Sequence, residues 1–217
     1  MSKSAFVPTF EALPSSMPIF PLPGAVLMPH AELPLNIFEP RYLNMVDDVL
    51  GSHRMIGMIQ PDAEVEGDKA LCQVGCAGRI TQLRETMDGR YGIVLSGVCR
   101  FEVSQELSTT RGYRLVAPNW SRFACDYENP QDSLQSEVPQ LMISLEQYLR
   151  AHEMEADLTS FQEMPVLNLV DALCMALPFS QQEKQMLLES VEPEKRLTNF
   201  MTLIYQDPEV PDSVTRH

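Results

Sequence analysis

The sequence predicts an α+β fold, with a β-rich first part followed by a helical second part. Three observations carry this. Apolar residues occupy alternate positions from Tyr91 to Val103, with Gly97 in the gap, directly after an Asp88-Gly89 turn. From Val138 to Leu149 they recur instead at helical spacing. The period changes near residue 130, with no internal repeat or low-complexity stretch. The expected organisation is a flexible N-terminal tail over 1–16, a β-rich subdomain over 17–128, a helical subdomain over 129–206 and a C-terminal tail over 207–217.

Residues 17–39 are apolar but carry Pro18, Pro21, Pro23, Pro29 and Pro34. Proline cannot donate to a ladder, so short extended pieces at strand ends or edges are expected. They are placed near Ile19–Leu22, Val26–Met28 and Leu35–Phe38. Pro40 suits the first position of a helix, Tyr42, Met45, Val46 and Val49 supply its buried face, and Gly51 follows its end. A two-residue turn at Asp88-Gly89 places Met87 opposite Arg90, Ile80 opposite Gly97 and Gly78 opposite Cys99. A last strand runs from Tyr113 to Ala117 and stops at Pro118. Four helices follow. One spans Val138–Leu149 and one Pro165–Leu177. A third starts at the Ser180-x-x-Glu183 capping box, and a fourth starts at Pro193, with Leu197, Phe200, Met201 and Ile204 as its stripe.

With 44% hydrophobic and 21% charged residues, the chain can build a buried core. A net charge of −14 argues against binding a nucleic-acid backbone or an anionic membrane surface. No run approaches the ~18 apolar residues of a membrane helix, and the first residues lack the apolar stretch of a signal peptide. A cytoplasmic setting is expected, with the five cysteines reduced.

Catalytic signatures are missing. The sequence has no phosphate-cradling Gly-rich Lys-Ser/Thr loop, dinucleotide fingerprint or nucleophile elbow. His30, His53, His152 and His217 are scattered. Cys72 and Cys76 share one strand face, as half a thiolate site or as two packed thiols; the latter is favoured because no second pair accompanies them. The pairs Asp47-Asp48 and Glu64/Glu66 read as solvated carboxylates. Trp120, Phe123 and Tyr127 read as core or partner surface rather than a base-stacking platform. No catalytic residue, metal or cofactor is assigned.

Two stretches are more specific than composition. Phe20-Pro21-Leu22, Pro29 and then Pro34-Leu35-Asn36-Ile37-Phe38-Glu39-Pro40-Arg41-Tyr42 resemble the opening of the Lon N-terminal domain family. Val74-Gly75-Cys76-Ala77-Gly78-Arg79-Ile80 is similar to the family's next strand. Asp88-Gly89-Arg90 is similar to its hairpin, and Leu95-Ser96-Gly97-Val98-Cys99-Arg100-Phe101 to its L-x-G-x-x-R-F pattern. Leu177-Pro178 and Lys184-Gln185-Met186-Leu187-Leu188-Glu189 look like its final helices. The resemblance runs from about Met17 to Tyr205. It implies a PUA-like β pseudobarrel followed by a C-terminal helical bundle, and a role in recognising polypeptide substrates.

Neither an ATPase nor a Ser–Lys protease module lies in this sequence, so a non-catalytic recognition protein is expected. The partners expected are unfolded or damaged polypeptide and full-length Lon protease. The alternatives are an enzyme or small-ligand protein on the same fold, and a regulator competing with full-length Lon. A cleft between barrel and helices is the default site. Among the 13 methionines, Met28, Met55 and Met58 are singled out as adaptable apolar contacts. His30, Phe38, Glu39, Arg41 and Tyr42, around the loop-to-helix junction, complete the peptide-binding candidates.

Overall fold

The proline-rich apolar segment after residue 16 opens a ring of strands. The computed structural model describes residues 8–62, 70–127, 134–157, 161 and 164–206. In chain order these form β1 (Met17–Pro21), β2 (Glu32–Ile37), α1 (Pro40–Leu50), β3 (Met55–Pro61), β4 (Leu71–Glu85), β5 (Tyr91–Leu107), β6 (Arg114–Asn119), α2 (Val138–Ala151), α3 (Val166–Ala176), α4 (Gln181–Glu189) and α5 (Pro193–Gln206). The strands run β5-β4-β3-β1-β6, and β6 returns to pair with β5, closing the ring. β1 and β3 are parallel and the other pairs antiparallel. The 17-residue β5 makes closure possible: its first half pairs with β2 and its last residues with β6. Among the described residues β2 pairs only with β5 and keeps one open edge. The result is the PUA-like pseudobarrel joined to a helical bundle. No helix among the described residues is long and apolar enough to cross a membrane.

The hairpin register differs from the two-residue expectation. Thr86 N–H donates to the Arg90 carbonyl (2.9 Å) and Gly89 N–H to the Thr86 carbonyl (3.0 Å), leaving a three-residue loop, Met87-Asp88-Gly89. Gly89 takes φ +75°, which glycine adopts at no steric cost. The ladder also shifts between Ala77 and Gly78 and between Ile80 and Gln82. Gly78 therefore faces Gly97, Ile80 faces Leu95, and Ala77 faces Cys99. These irregularities bend the two long strands, as ring closure requires.

Other expectations also change. Val26–Met28 is buried but irregular rather than a strand. β6 continues through Pro118 to Asn119, because a register shift beside Val103 relieves the missing donor. β1 is paired on both sides despite Pro18 and Pro21. Pairing with β3 begins only at Ile19, and Leu22 N–H supplies the bond to the Ile59 carbonyl (3.0 Å). Residues 8–16 are not a free tail. Tyr127 hydroxyl donates to the Pro8 carbonyl (3.1 Å), Trp120 Nε1 to the Pro14 carbonyl (3.2 Å), and Phe10 packs edge-on to Tyr127. The C-terminal tail, 207–217, lies outside the described residues.

The helices follow their sequence signals closely. α1 spans Pro40–Leu50 and buries Tyr42, Met45, Val46 and Val49. α4 carries both halves of its capping box: Glu183 N–H donates to Ser180 Oγ (3.3 Å) and Ser180 N–H to the Glu183 carboxylate (2.7 Å). Leu141, Leu145, Tyr148, Leu173, Phe200 and Ile204 are buried in the bundle.

Candidate functional site

Barrel and bundle meet around one fully buried arginine. Arg100 leaves β5 and pairs with Asp126 (Nη2 to Oδ1, 2.6 Å), stacking 4.5 Å above the Phe123 ring. Its remaining donors reach the Leu188 carbonyl (3.0 Å), the Val191 carbonyl (2.9 Å) and the Ser190 carbonyl. A guanidinium satisfies this set because its five donors are held in a rigid fork. The L-x-G-x-x-R-F pattern thus has a physical basis. A Cβ at Gly97 would lie 2.0 Å from the Met28 carbonyl oxygen, Arg100 ties the two parts together, and the Phe101 ring lies where a Cβ on Gly57 or Gly75 would sit.

α4 supplies the other ties. Gln185 Nε2 donates to the Val74 carbonyl (3.1 Å), and the buried Gln60 donates through Nε2 to the Gln181 carbonyl (3.0 Å). Lys184 Nζ donates to the Gly24 carbonyl (3.4 Å) and to the Met175 carbonyl (3.2 Å). Partial burial holds the Lys184 pKa below the usual lysine value.

Gly24 and Met175 stand on opposite walls of a cleft of about 530 Å³. The barrel wall comes from the segment before β2 and from β2 itself, with Val26, Ala31, Leu33 and Pro34. The bundle wall is Met164 with one face of α3. Asn168, Ala172 and Ala176, spaced four apart, share that face, and Met175 flanks them. The two alanines leave the room and the two methionines give walls that can adapt. His30 and Glu32 are the polar groups at the barrel rim. His30 is held at φ +63°.

Of the sequence candidates, only His30 lines this cleft. Met28, Met55 and Met58 are buried to within 1% of full burial, so their side chains serve the barrel core and present no surface. Both faces of β3 are covered, which is why a strand of this composition hides its methionines. Tyr42 is also buried, edge-on to Phe20 at 4.3 Å. Burial pushes its hydroxyl pKa up. Phe38 is 61% exposed, and Glu39 and Arg41 form an exposed ion pair (2.9 Å) beside it. These three make a separate surface, with Arg90 5.8 Å from the Phe38 ring. Sequence reasoning missed Leu33, Pro34, Met164, Asn168, Ala172, Met175 and Ala176. The legible signal was the spacing of Asn168, Ala172 and Ala176.

The remaining expected groups sit as follows. Cys76 is buried and its thiol pKa is raised well above normal by desolvation, while partial burial pushes Cys72 up to about 11. Neither is an activated thiolate. Asp48 accepts from Arg111 Nε (2.8 Å) and the Tyr113 hydroxyl (2.9 Å), and Asp47 accepts from the Tyr91 hydroxyl (3.0 Å). Glu64 and Glu66 lie outside the described residues. Phe123 is core and Trp120 is half-buried, edge-on to Phe101 at 5.8 Å.

Comparison with known proteins places this architecture. Residues 16–206 match the model of the ATP-dependent protease La (LON) substrate-binding domain. Lon protease 2 of Sorangium cellulosum is 35% identical over 97 residues, 43% of this chain and 12% of that protein. Lon protease 2 of Myxococcus xanthus is 26% identical over 210 residues, 92% of this chain and 24% of that protein. The chain thus spans a quarter or less of these relatives. A crystal structure of a Lon N-terminal domain protein from Xanthomonas campestris superposes with a TM-score of 0.58 at 25% identity, covering 86% of this chain and 97% of that one. The N-terminal domain of a Mycobacterium avium complex Lon protease gives 0.67 at 15% identity, covering 88% and 99%.

Proposed function

Because the chain belongs to the substrate-binding domain family of Lon ATP-dependent proteases, we propose that it recognises polypeptide without catalysing a reaction. The apolar segment of an unfolded or damaged protein is held in the cleft between β2 and α3. The observation that carries this reading is the cleft itself. It is large enough for two or three side chains, mostly apolar, and walled by methionines from one side and by a β edge from the other. Its polar lining, His30, Glu32 and Asn168, fits orientation of a chain rather than nucleophilic chemistry. The proposed setting is the cytoplasm, and full-length Lon protease is a proposed partner.

The test is binding of the purified chain to a reduced, carboxymethylated, permanently unfolded protein, followed by fluorescence anisotropy. Saturable binding is expected. Ala172→Trp fills the cleft and is expected to weaken it at least about tenfold, the scale of one lost apolar anchor. Phe38→Ala, on the separate surface, is expected to change it little. Equal binding by wild type and Ala172→Trp sinks the cleft assignment.

A further inference from the structure

β2 is the open end of the sheet, and the cleft lies against it. His30 N–H donates to the Gly97 carbonyl (3.3 Å) and Gly97 N–H to the Ala31 carbonyl (2.8 Å), so both backbone groups of Gly97 point toward β2 and the segment before it. Backbone direction alternates along a strand. Leu95, Ile93 and Tyr91 therefore point toward β2 as well, and their partners Leu33, Leu35 and Ile37 point back to β5. The backbone groups of Glu32, Pro34 and Asn36 point the other way, toward the open edge. All three residues are exposed, and no described strand covers that edge. Pro34 stands at one of these outward positions, where its missing N–H costs the inner ladder nothing. It also blunts the edge against unwanted pairing.

An open edge offers backbone donors and acceptors to an added strand, and an adjoining apolar cleft offers room for its side chains. We infer that the occupant of the cleft binds as an extended strand added to the open edge of β2, with alternate apolar side chains entering the cleft beside Leu33 and Ala172. This rests on the polypeptide-recognition reading and specifies its form. Backbone bonds run from Glu32 and Asn36, with the donor skipped at Pro34, so recognition is tolerant of sequence and selective for extended conformation. The helical part, residues 129–206, carries twelve Asp and Glu against four Lys and Arg. Glu32 adds a carboxylate at the rim. The favoured strand is therefore apolar at alternate positions and flanked by Lys or Arg.

The probe is a designed nine-residue peptide alternating leucine and threonine between lysine pairs, labelled for anisotropy. Pro34→Val restores an outward N–H and is expected to tighten binding about fivefold, the worth of one net backbone hydrogen bond. Asn36→Pro removes one and is expected to weaken it about fivefold with the urea midpoint nearly unchanged. N-methylation of the peptide at alternate amides is expected to abolish binding in one parity and spare it in the other. If the peptide binds but both parities behave alike and Pro34→Val has no effect, strand addition is wrong while cleft recognition stands. If neither the peptide nor the unfolded protein binds, the underlying reading fails and this one with it. Dimerisation of Pro34→Val by light scattering, without N-methyl parity, would assign the edge to a second copy and overturn the proposal.

Discussion

Single side chains in this molecule matter most where burial leaves them no alternative partner. Arg100 is the extreme case: removing its guanidinium leaves Asp126 buried without its cation and strips partners from carbonyls at 188, 190 and 191. Arg100→Met is expected to cost about 3–5 kcal/mol, read from urea denaturation at neutral pH. Arg100→Lys is expected to recover only part of that, because an ammonium cannot span the same fork. Asp48 shows a milder, pH-dependent version. Hydrogen bonds from Arg111 and Tyr113 hold its carboxyl pKa below the usual value of 3.8. A lowered folded-state pKa means its stabilisation is present above the unfolded value and disappears as pH falls through the folded one. Wild type should therefore lose stability between about pH 4 and lower values more steeply than Asp48→Asn, in urea midpoints measured across that range. The residue scale was also where sequence was least legible. Met28, Met55 and Met58 are chemically suited to a peptide surface, but composition does not say which face of which strand is covered. Met55 and Met58 are hidden because both faces of β3 are covered, and Met28 is buried in the irregular segment before β2. Arg100 was visible as part of a motif, yet its partners lie up to 91 residues away along the chain.

At the scale of elements, local chemistry decides boundaries and long-range closure decides register. The helices were legible because their starts and stops are written in neighbouring residues: Pro40 for α1, Ser180 with Glu183 for α4, Pro193 for α5. Ser180→Ala removes the hydroxyl that accepts from Glu183 N–H, and a loss of about 1 kcal/mol is expected in thermal or urea melts. Ser180→Asp should retain most of the stability, since a carboxylate caps the same N–H. The strands were legible only in part. β5 announced itself by alternation, but β3 did not, because with both faces covered Met55–Gln60 shows no period to read. The β4–β5 register missed by the turn: Asp-Gly fits a two-residue turn, but here Gly89 closes a three-residue one. The two bulges that follow serve curvature, a property of the closed ring that no local window contains. The cleft is a product of the same scale. Its barrel wall was hidden in an irregular proline-rich segment, and its α3 wall looked like any apolar helix until Asn168, Ala172 and Ala176 were seen to face β2.

Barrel and bundle behave as one unit only if the contacts between them outlast the contacts within each. Arg100, Gln60, Gln185 and Lys184 all cross that boundary, and each ends on a backbone carbonyl of the other part, which cannot rotate away as a side chain can. Trp120, the sole tryptophan, sits at the end of β6, whereas the far-ultraviolet helical signal comes largely from α2–α5. Fluorescence and circular dichroism therefore follow the two parts separately. In wild type the two urea transitions are expected to coincide, as for a single cooperative unit. In Arg100→Met they are expected to separate, the helical signal falling first, because the bundle loses its anchor while the ring keeps its closed ladder. Coincident transitions in that variant, or separated ones in wild type, would sink the coupling. The same boundary shapes recognition, since one cleft wall belongs to each part. Lys184 joins the Gly24 and Met175 carbonyls across it. Lys184→Met keeps most of the side chain's apolar bulk but releases both carbonyls. Peptide affinity should then fall about threefold or more while the urea midpoint moves little. Unchanged affinity would mean that the spacing of the walls is set by the buried Arg100 joint alone.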